Sequence, residues 1–143
     1  ARNHVKGVVA KNLAVSNVSG QCKLYLSPDS HNHSLVAASE VVGEKLAQCT
    51  TLEEIFRRNV IERCALVKLD CEGSEFAILE GLSRKIFAKI GAFYIEYHKL
   101  TDEMRPDLLR TILQKNGFKV QMRESPYDKK LGFILARRQS SFA

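Results

Sequence analysis

Residues 65–82, ALVKLDCEGSEFAILEGL, confine the chain to a narrow set of folds. Ala65, Leu66, Val67 and Leu69 have the composition of a buried strand, and Asp70 is its last residue. Glu72 and Glu75 follow, with Gly73 between them to supply a turn. Phe76, Leu79, Leu82, Ile86 and Phe87 then recur at helical spacing, the pattern of one packed face. A strand that ends in carboxylates and turns directly into a helix predicts an open α/β sheet. Such sheets bind ligands in the crevice beyond the C-terminal ends of their strands.

The rest of the chain supplies compatible elements. Residues 5–10, VKGVVA, predict a strand running on toward Val15. Asn17 to Gly20 form a turn. From Gln21 to Leu26 the residues alternate, with Cys22, Leu24 and Leu26 on one face, which predicts a second strand in a hairpin with the first. Ser27 to Ser34 is a polar loop, and residues 44–50 predict another short strand. Thr51 with Glu54 three residues on makes a capping box, opening a helix to about Asn59. Helical segments at 74–82 and 84–90 lead to a strand from Ala92 to His98. Met104, Leu108, Leu109, Ile112 and Leu113 form one helical face, with Pro106 in the first turn and Gly117 as the stop. Phe118–Met122 and Leu131–Ala136 predict a closing hairpin. Alternating strands and helices from residue 51 on predict a largely parallel sheet covered by helices, with the hairpin antiparallel beside it.

Composition narrows the function classes. At 143 residues the chain is one domain, and 45% hydrophobic content is that of a globular core. No apolar run approaches the ~20 residues of a membrane span, and no signal peptide is visible, which predicts no membrane partner and a cytoplasmic location. The net charge is +6, but the basic residues are scattered, with small clusters at Arg57-Arg58, Lys129-Lys130 and Arg137-Arg138. Nucleic-acid binding needs cations gathered on one face, with aromatics for stacking single strands, so no nucleic-acid partner is expected. Cys22, Cys49, Cys64 and Cys71 lack CxxC spacing and read as small buried hydrophobes in a reducing compartment. His31 and His33 stand two apart in the polar loop, and no metal is assigned to them.

The carboxylates converge. Side chains alternate along a strand, so Tyr94, Glu96 and His98 share one face, opposite Phe93, Ile95 and Tyr97. With strands 65–70 and 92–98 side by side, Asp70, Glu72, Glu96 and His98 meet at one sheet edge. Several carboxylates brought together are costly unless protons, cations or ligands compensate, which makes the cluster a candidate site.

The same residues carry a resemblance. Thr51-Leu52-Glu53-Glu54-Ile55, then Leu66-Val67-Lys68-Leu69-Asp70-Cys71-Glu72-Gly73-Ser74-Glu75 with Leu79 and Gly81, resembles the T-L-D-x-L … L-x-K-I-D-V-E-G-x-E-x-x-x-L-x-G pattern of the FkbM-type methyltransferases. Asn12-Leu13-Ala14-Val15-Ser16 with Gly20 is similar to the family's N-x-A-L-S … D-G stretch, Ser34-Leu35 to its S-S-L loop, and Ile95-Glu96-Tyr97-His98 to its V-E-x-H strand. The resemblance implies an α/β fold with a class I, Rossmann-like methyltransferase sheet. That sheet is mostly parallel with an antiparallel terminal hairpin, here as a single partial domain over residues 1–143. It also implies S-adenosylmethionine (SAM) as cofactor and O-methylation of a small-molecule or sugar hydroxyl.

By the same resemblance Asp70, Glu72 and His98 are the catalytic candidates. Any of the three could take up the acceptor's proton, and His98 is the one whose unperturbed pKa lies near neutrality. Asn12 and Asp70 are the candidates for holding SAM, and Glu96 for the substrate. One departure is large. The eight glycines form no GxG or GxGxxG, so the glycine-rich loop after the family's first strand has no counterpart here. The chain therefore resembles the latter part of the domain, lacking its first two strands, and is expected to bind SAM weakly or not at all. The strand at 65–70, apolar on both faces, would then be an open edge, to be covered by the first hairpin or by a second copy in a homodimer. Two other function classes stay open: a metal-dependent hydrolase built on the Asp/Glu/His cluster, and a non-catalytic binding module.

Overall fold

A computed structural model describes residues 6–29, 31–37 and 40–139. Among them lie two mixed sheets. The first contains β1 (Ala14–Ser16), β2 (Gly20–Leu26) and β3 (Gly43–Thr51) in the order β1-β3-β2. The second contains β4 (Val67–Asp70), β5 (Ala92–His98), β6 (Phe118–Glu124) and β7 (Leu131–Arg138) in the order β4-β5-β7-β6. Four helices connect them: α1 (Leu52–Arg58), α2 (Glu75–Glu80), α3 (Arg84–Ala88) and α4 (Pro106–Lys115). The architecture is α/β and coarsely Rossmann-like. The pairs β1–β3 and β4–β5 are parallel, whereas β2–β3, β5–β7 and β6–β7 are antiparallel.

Local chemistry explains the boundaries. The Thr51 hydroxyl accepts the Glu54 N–H at 3.0 Å, satisfying an otherwise unpaired donor at the start of α1. The Glu54 carboxylate turns outward to Arg58 and accepts from the Ser19 hydroxyl at 2.6 Å, fastening α1 to the β1–β2 turn. Pro106 opens α4, where a missing N–H costs nothing, and Gly117, at φ 86°, lets the chain leave it in a left-handed turn.

The core lies on one face of the four-stranded sheet. Leu69, Phe93, Ile95, Ile134 and Ala136 point into it and meet Ile78, Leu79, Phe87, Leu109 and Leu113 from the helices. Phe87, Phe93 and Phe118 pack with tilted rings, the closest pair with centroids 5.3 Å apart. Arg138 closes this cluster. Its guanidinium sits 4.4 Å over the Phe118 ring and donates to the carbonyls of Ile90, Asn116 and Phe87. The opposite face carries Lys68, Asp70, Tyr94 and Glu96, and Tyr94 stacks on Phe133 at its centre.

Four expectations are corrected. The predicted strand at 5–10 is turn and coil where it is described (residue 5 lies outside the described residues), and Val8 and Val9 are exposed, with no strand partner among the described residues. The first strand is β1, and it forms no hairpin with β2, since both pair with β3 instead. The run at 65–70 is not apolar on both faces. Leu66 is exposed and strand pairing starts at Val67, with Val67 and Leu69 inside and Lys68 and Asp70 outside, because helices cover only one face. Finally, Cys22 and Cys49 are not free buried thiols but a disulfide. The β2–β3 register sets them diagonally across the pair with Cα atoms 6.0 Å apart, within bridging range. Cys64 and Cys71 are free and partly buried. None of the described helices is long and apolar enough to cross a membrane.

Candidate active site at the ends of β4 and β5

A cleft of about 560 Å³ opens at the C-terminal ends of β4 and β5. Asp70, Glu72, Glu96 and His98 line one side, and Tyr25, Ser27, Asn32 and Ser34 line the other. Parallel pairing sets Asp70 level with Glu96, and His98 extends beyond them on the same face of β5. The convergence of the four predicted residues is therefore present. Asn12 is not with them. It is exposed in the coil before β1, whose partner is β3 rather than β4, and it does not line the cleft.

The turn after β4 is unusual backbone. Glu72 has φ 46° and Gly73 φ 94°, so two successive residues occupy the left-handed region, sparsely used by a residue with a side chain. A Cβ on Gly73 would lie 2.9 Å from the Leu100 side chain and 3.4 Å from Val36, so the turn is clasped on both sides.

Glu75 organises this turn. It has no solvent exposure, and its carboxylate accepts the Cys71 N–H at 2.6 Å and the Gly73 N–H at 2.9 Å. Its Oε1 also meets His98 Nδ1 at 3.2 Å. A carboxylate accepts, so Nδ1 donates to Glu75, while Nε2 lies 3.5 Å from the carboxylate of Glu72, which lines the cleft. Sequence reasoning passed over Glu75 as one more acid in the motif. Its signal was periodicity: it stands three and four residues before the buried Ile78 and Leu79, on the inner face of α2.

Electrostatics sharpen these roles. Burial by itself lowers the His98 pKa, but the hydrogen bond to Glu75 and the charges of Glu75, Glu72 and Asp70 outweigh it, and the net shift is upward. Burial pushes the Glu72 carboxyl up as well, with His98 opposing and the other carboxylates reinforcing. Asp70 pairs with Lys68 at 2.8 Å. Burial raises the Cys71 thiol, which keeps it protonated and unsuited to nucleophilic work. His31 and His33 serve the loop: His31 contacts Asp29 at 2.9 Å, and His33 accepts the Ser27 N–H at 3.2 Å. Donor atoms of Asp70, Glu96 and His98 lie within 4.8 Å of one another, so this trio is the one that could hold a divalent cation among the described residues.

Comparison with known proteins follows the same residues. The Methyltransferase FkbM domain model matches residues 2–120. The AMB antimetabolite synthetase AmbE of Pseudomonas aeruginosa is 27% identical over 116 residues, covering 79% of this chain and 5% of that protein. The chain thus spans about 5% of the length of the curated relative it matches. No solved structure matches it. With the match extending over most of its length, from before β1 through the cleft to β6, the chain belongs to the FkbM methyltransferase domain family.

Proposed function

We propose that this domain transfers the methyl group of SAM to a hydroxyl of a small-molecule or sugar acceptor. One observation carries the reading: buried Glu75 engages His98 Nδ1 beside a cleft lined by Asp70, Glu72 and Glu96, an arrangement in which Nε2 of the neutral imidazole would be the proton acceptor. Bound SAM supplies an electrophilic methyl carbon. His98 Nε2 takes the acceptor's proton, and Glu72 beside it favours the imidazolium that forms. Glu96 and Asp70 offer acceptor oxygens that orient the hydroxyl, and their charge suits a sulfonium nearby.

The fit to SAM is uneven. The acidic cleft suits its charged end, whereas the adenosine end finds no glycine-rich turn in this sequence, and Asn12 lies outside the cleft. Weak binding by the chain is the expected result. In the full class I sheet, further strands between β1 and β4 would join the two sheets into one that is mostly parallel. A cytoplasmic setting would require the Cys22–Cys49 disulfide to survive cellular thiols, so the bridge favours an oxidising compartment.

The test is a pair of titrations followed by NMR. SAM at high concentration should move the signals of Asp70, Glu72 and His98, and magnesium or zinc should not. Tight metal binding with no response to SAM would instead support a second reading, a metal-dependent hydrolase, which the clustering of Asp70, Glu96 and His98 favours. Silence in both titrations would leave a binding module.

The outer edge of β4, which pairs only with β5 among the described residues, is proposed to take a strand from a second copy of the chain. Sedimentation showing a monomer at high concentration would exclude this.

A further inference from the structure

The β4 turn and the far wall of the cleft are joined at one point. Ser34 is buried, and its hydroxyl donates to the carbonyl oxygen of Glu72 while accepting the Val36 N–H at 2.9 Å. Its own N–H and carbonyl pair with Tyr25 at 3.1 and 2.7 Å, so every polar group of Ser34 is committed. Val36 lies against the Gly73 position. The segment carrying these residues runs between Cys22 and Cys49 and is tied at its base by their disulfide.

This latch reaches the residue that most needs one. Glu72 is held at φ 46°, and the peptide carbonyl that Ser34 grips is Glu72's own. The conformation aims the Glu72 carboxylate at His98 Nε2, 3.5 Å away. Glu75 holds the turn from inside through Cys71 N and Gly73 N, and because the Gly73 N–H shares a peptide plane with the Glu72 carbonyl, Ser34 and Glu75 grip the two ends of one peptide. We propose that Ser34 is a positioning residue: its hydroxyl sets the Glu72 peptide, and through it the Glu72 carboxylate, against His98, so that the docked wall and the reacting groups are assembled together. The inference rests on the methyl-transfer reading of this cleft. It predicts that truncating Ser34 acts on turnover through Glu72, in the way that a small misplacement near the chemistry costs about 100-fold.

Two measurements test it. Crystal structures of the chain and of its Ser34→Ala variant should show Glu72 relaxed out of the positive-φ region and its carboxylate withdrawn from His98, with the sheets unchanged. A variant in which Glu72 keeps its place would overturn the proposal. In parallel, methyl transfer should fall in kcat but not in KM for Ser34→Ala, and Ser34→Ala should add nothing in a Glu72→Gln background. Independent, additive effects would overturn it. If the parent transfers no methyl group, the functional reading fails, and the crystallographic comparison still decides whether Ser34 positions Glu72.

Discussion

His98 Nδ1 lies 3.2 Å from Oε1 of Glu75, a carboxylate with no solvent exposure that also accepts the backbone N–H groups of Cys71 and Gly73. One buried side chain thus fixes both the turn after β4 and the orientation of the imidazole at the end of β5. Glu75→Ala leaves three donors without an acceptor in a buried setting. It should destabilise the fold by about 3 kcal/mol or more, measured by denaturant unfolding. A loss no larger than that of an exposed substitution would show the network to be incidental.

Glu75→Gln keeps the shape and removes the charge. The raised His98 pKa owes part of its shift to that charge, so the variant's imidazole should titrate at lower pH, as read by NMR. An unchanged midpoint would mean that Glu75 does not hold His98 in solution.

The pH dependence of stability follows from signs. The folded-state pKa of His98 is raised above 6.5, so its contribution is fully present below that value and is lost as pH rises through the folded pKa. Glu72 is raised above 4.5, so the folded state likewise favours its protonated form and loses stability as that carboxyl ionises. Both act in the same direction. Melts of parent and His98→Gln should differ most below about pH 6.5 and converge at alkaline pH. A gap that widens with pH would refute the assignment.

The Cys22–Cys49 bridge closes a loop across a sequence separation of 27, which includes the cleft wall around Ser34. Chain-entropy arguments give about 3–4 kcal/mol for a loop of this length. Reduction should lower the melting midpoint accordingly, and Cys22→Ser should reproduce the loss without reductant. Identical melts with and without reductant would indicate that the bridge is not formed.

Much of this was legible in the sequence because it is local. The Ala92–His98 strand has the boundaries its alternation predicted, Thr51 caps α1 as its spacing to Glu54 required, and Asp70, Glu72, Glu96 and His98 meet because parallel neighbours place them at one edge. What escaped is non-local. Val8 and Val9 look like strand residues, but a strand needs a partner, and the pairing of Ala14 with Cys49 joins neighbouring strands that are separated in sequence by all of β2. The disulfide depends on the β2–β3 register, which spacing alone does not reveal. The burial of Glu75 was hidden because an acid on an apolar helical face is satisfied only by groups from elsewhere in the fold.

The most direct measurement is transfer of isotopically labelled methyl from SAM to a panel of small-molecule and sugar hydroxyls, using parent protein and the His98→Asn variant. The account predicts a labelled ether in the parent and a rate about 100-fold to 10,000-fold lower in the variant, the range for loss of a general base. Equal rates in the two proteins would contradict it.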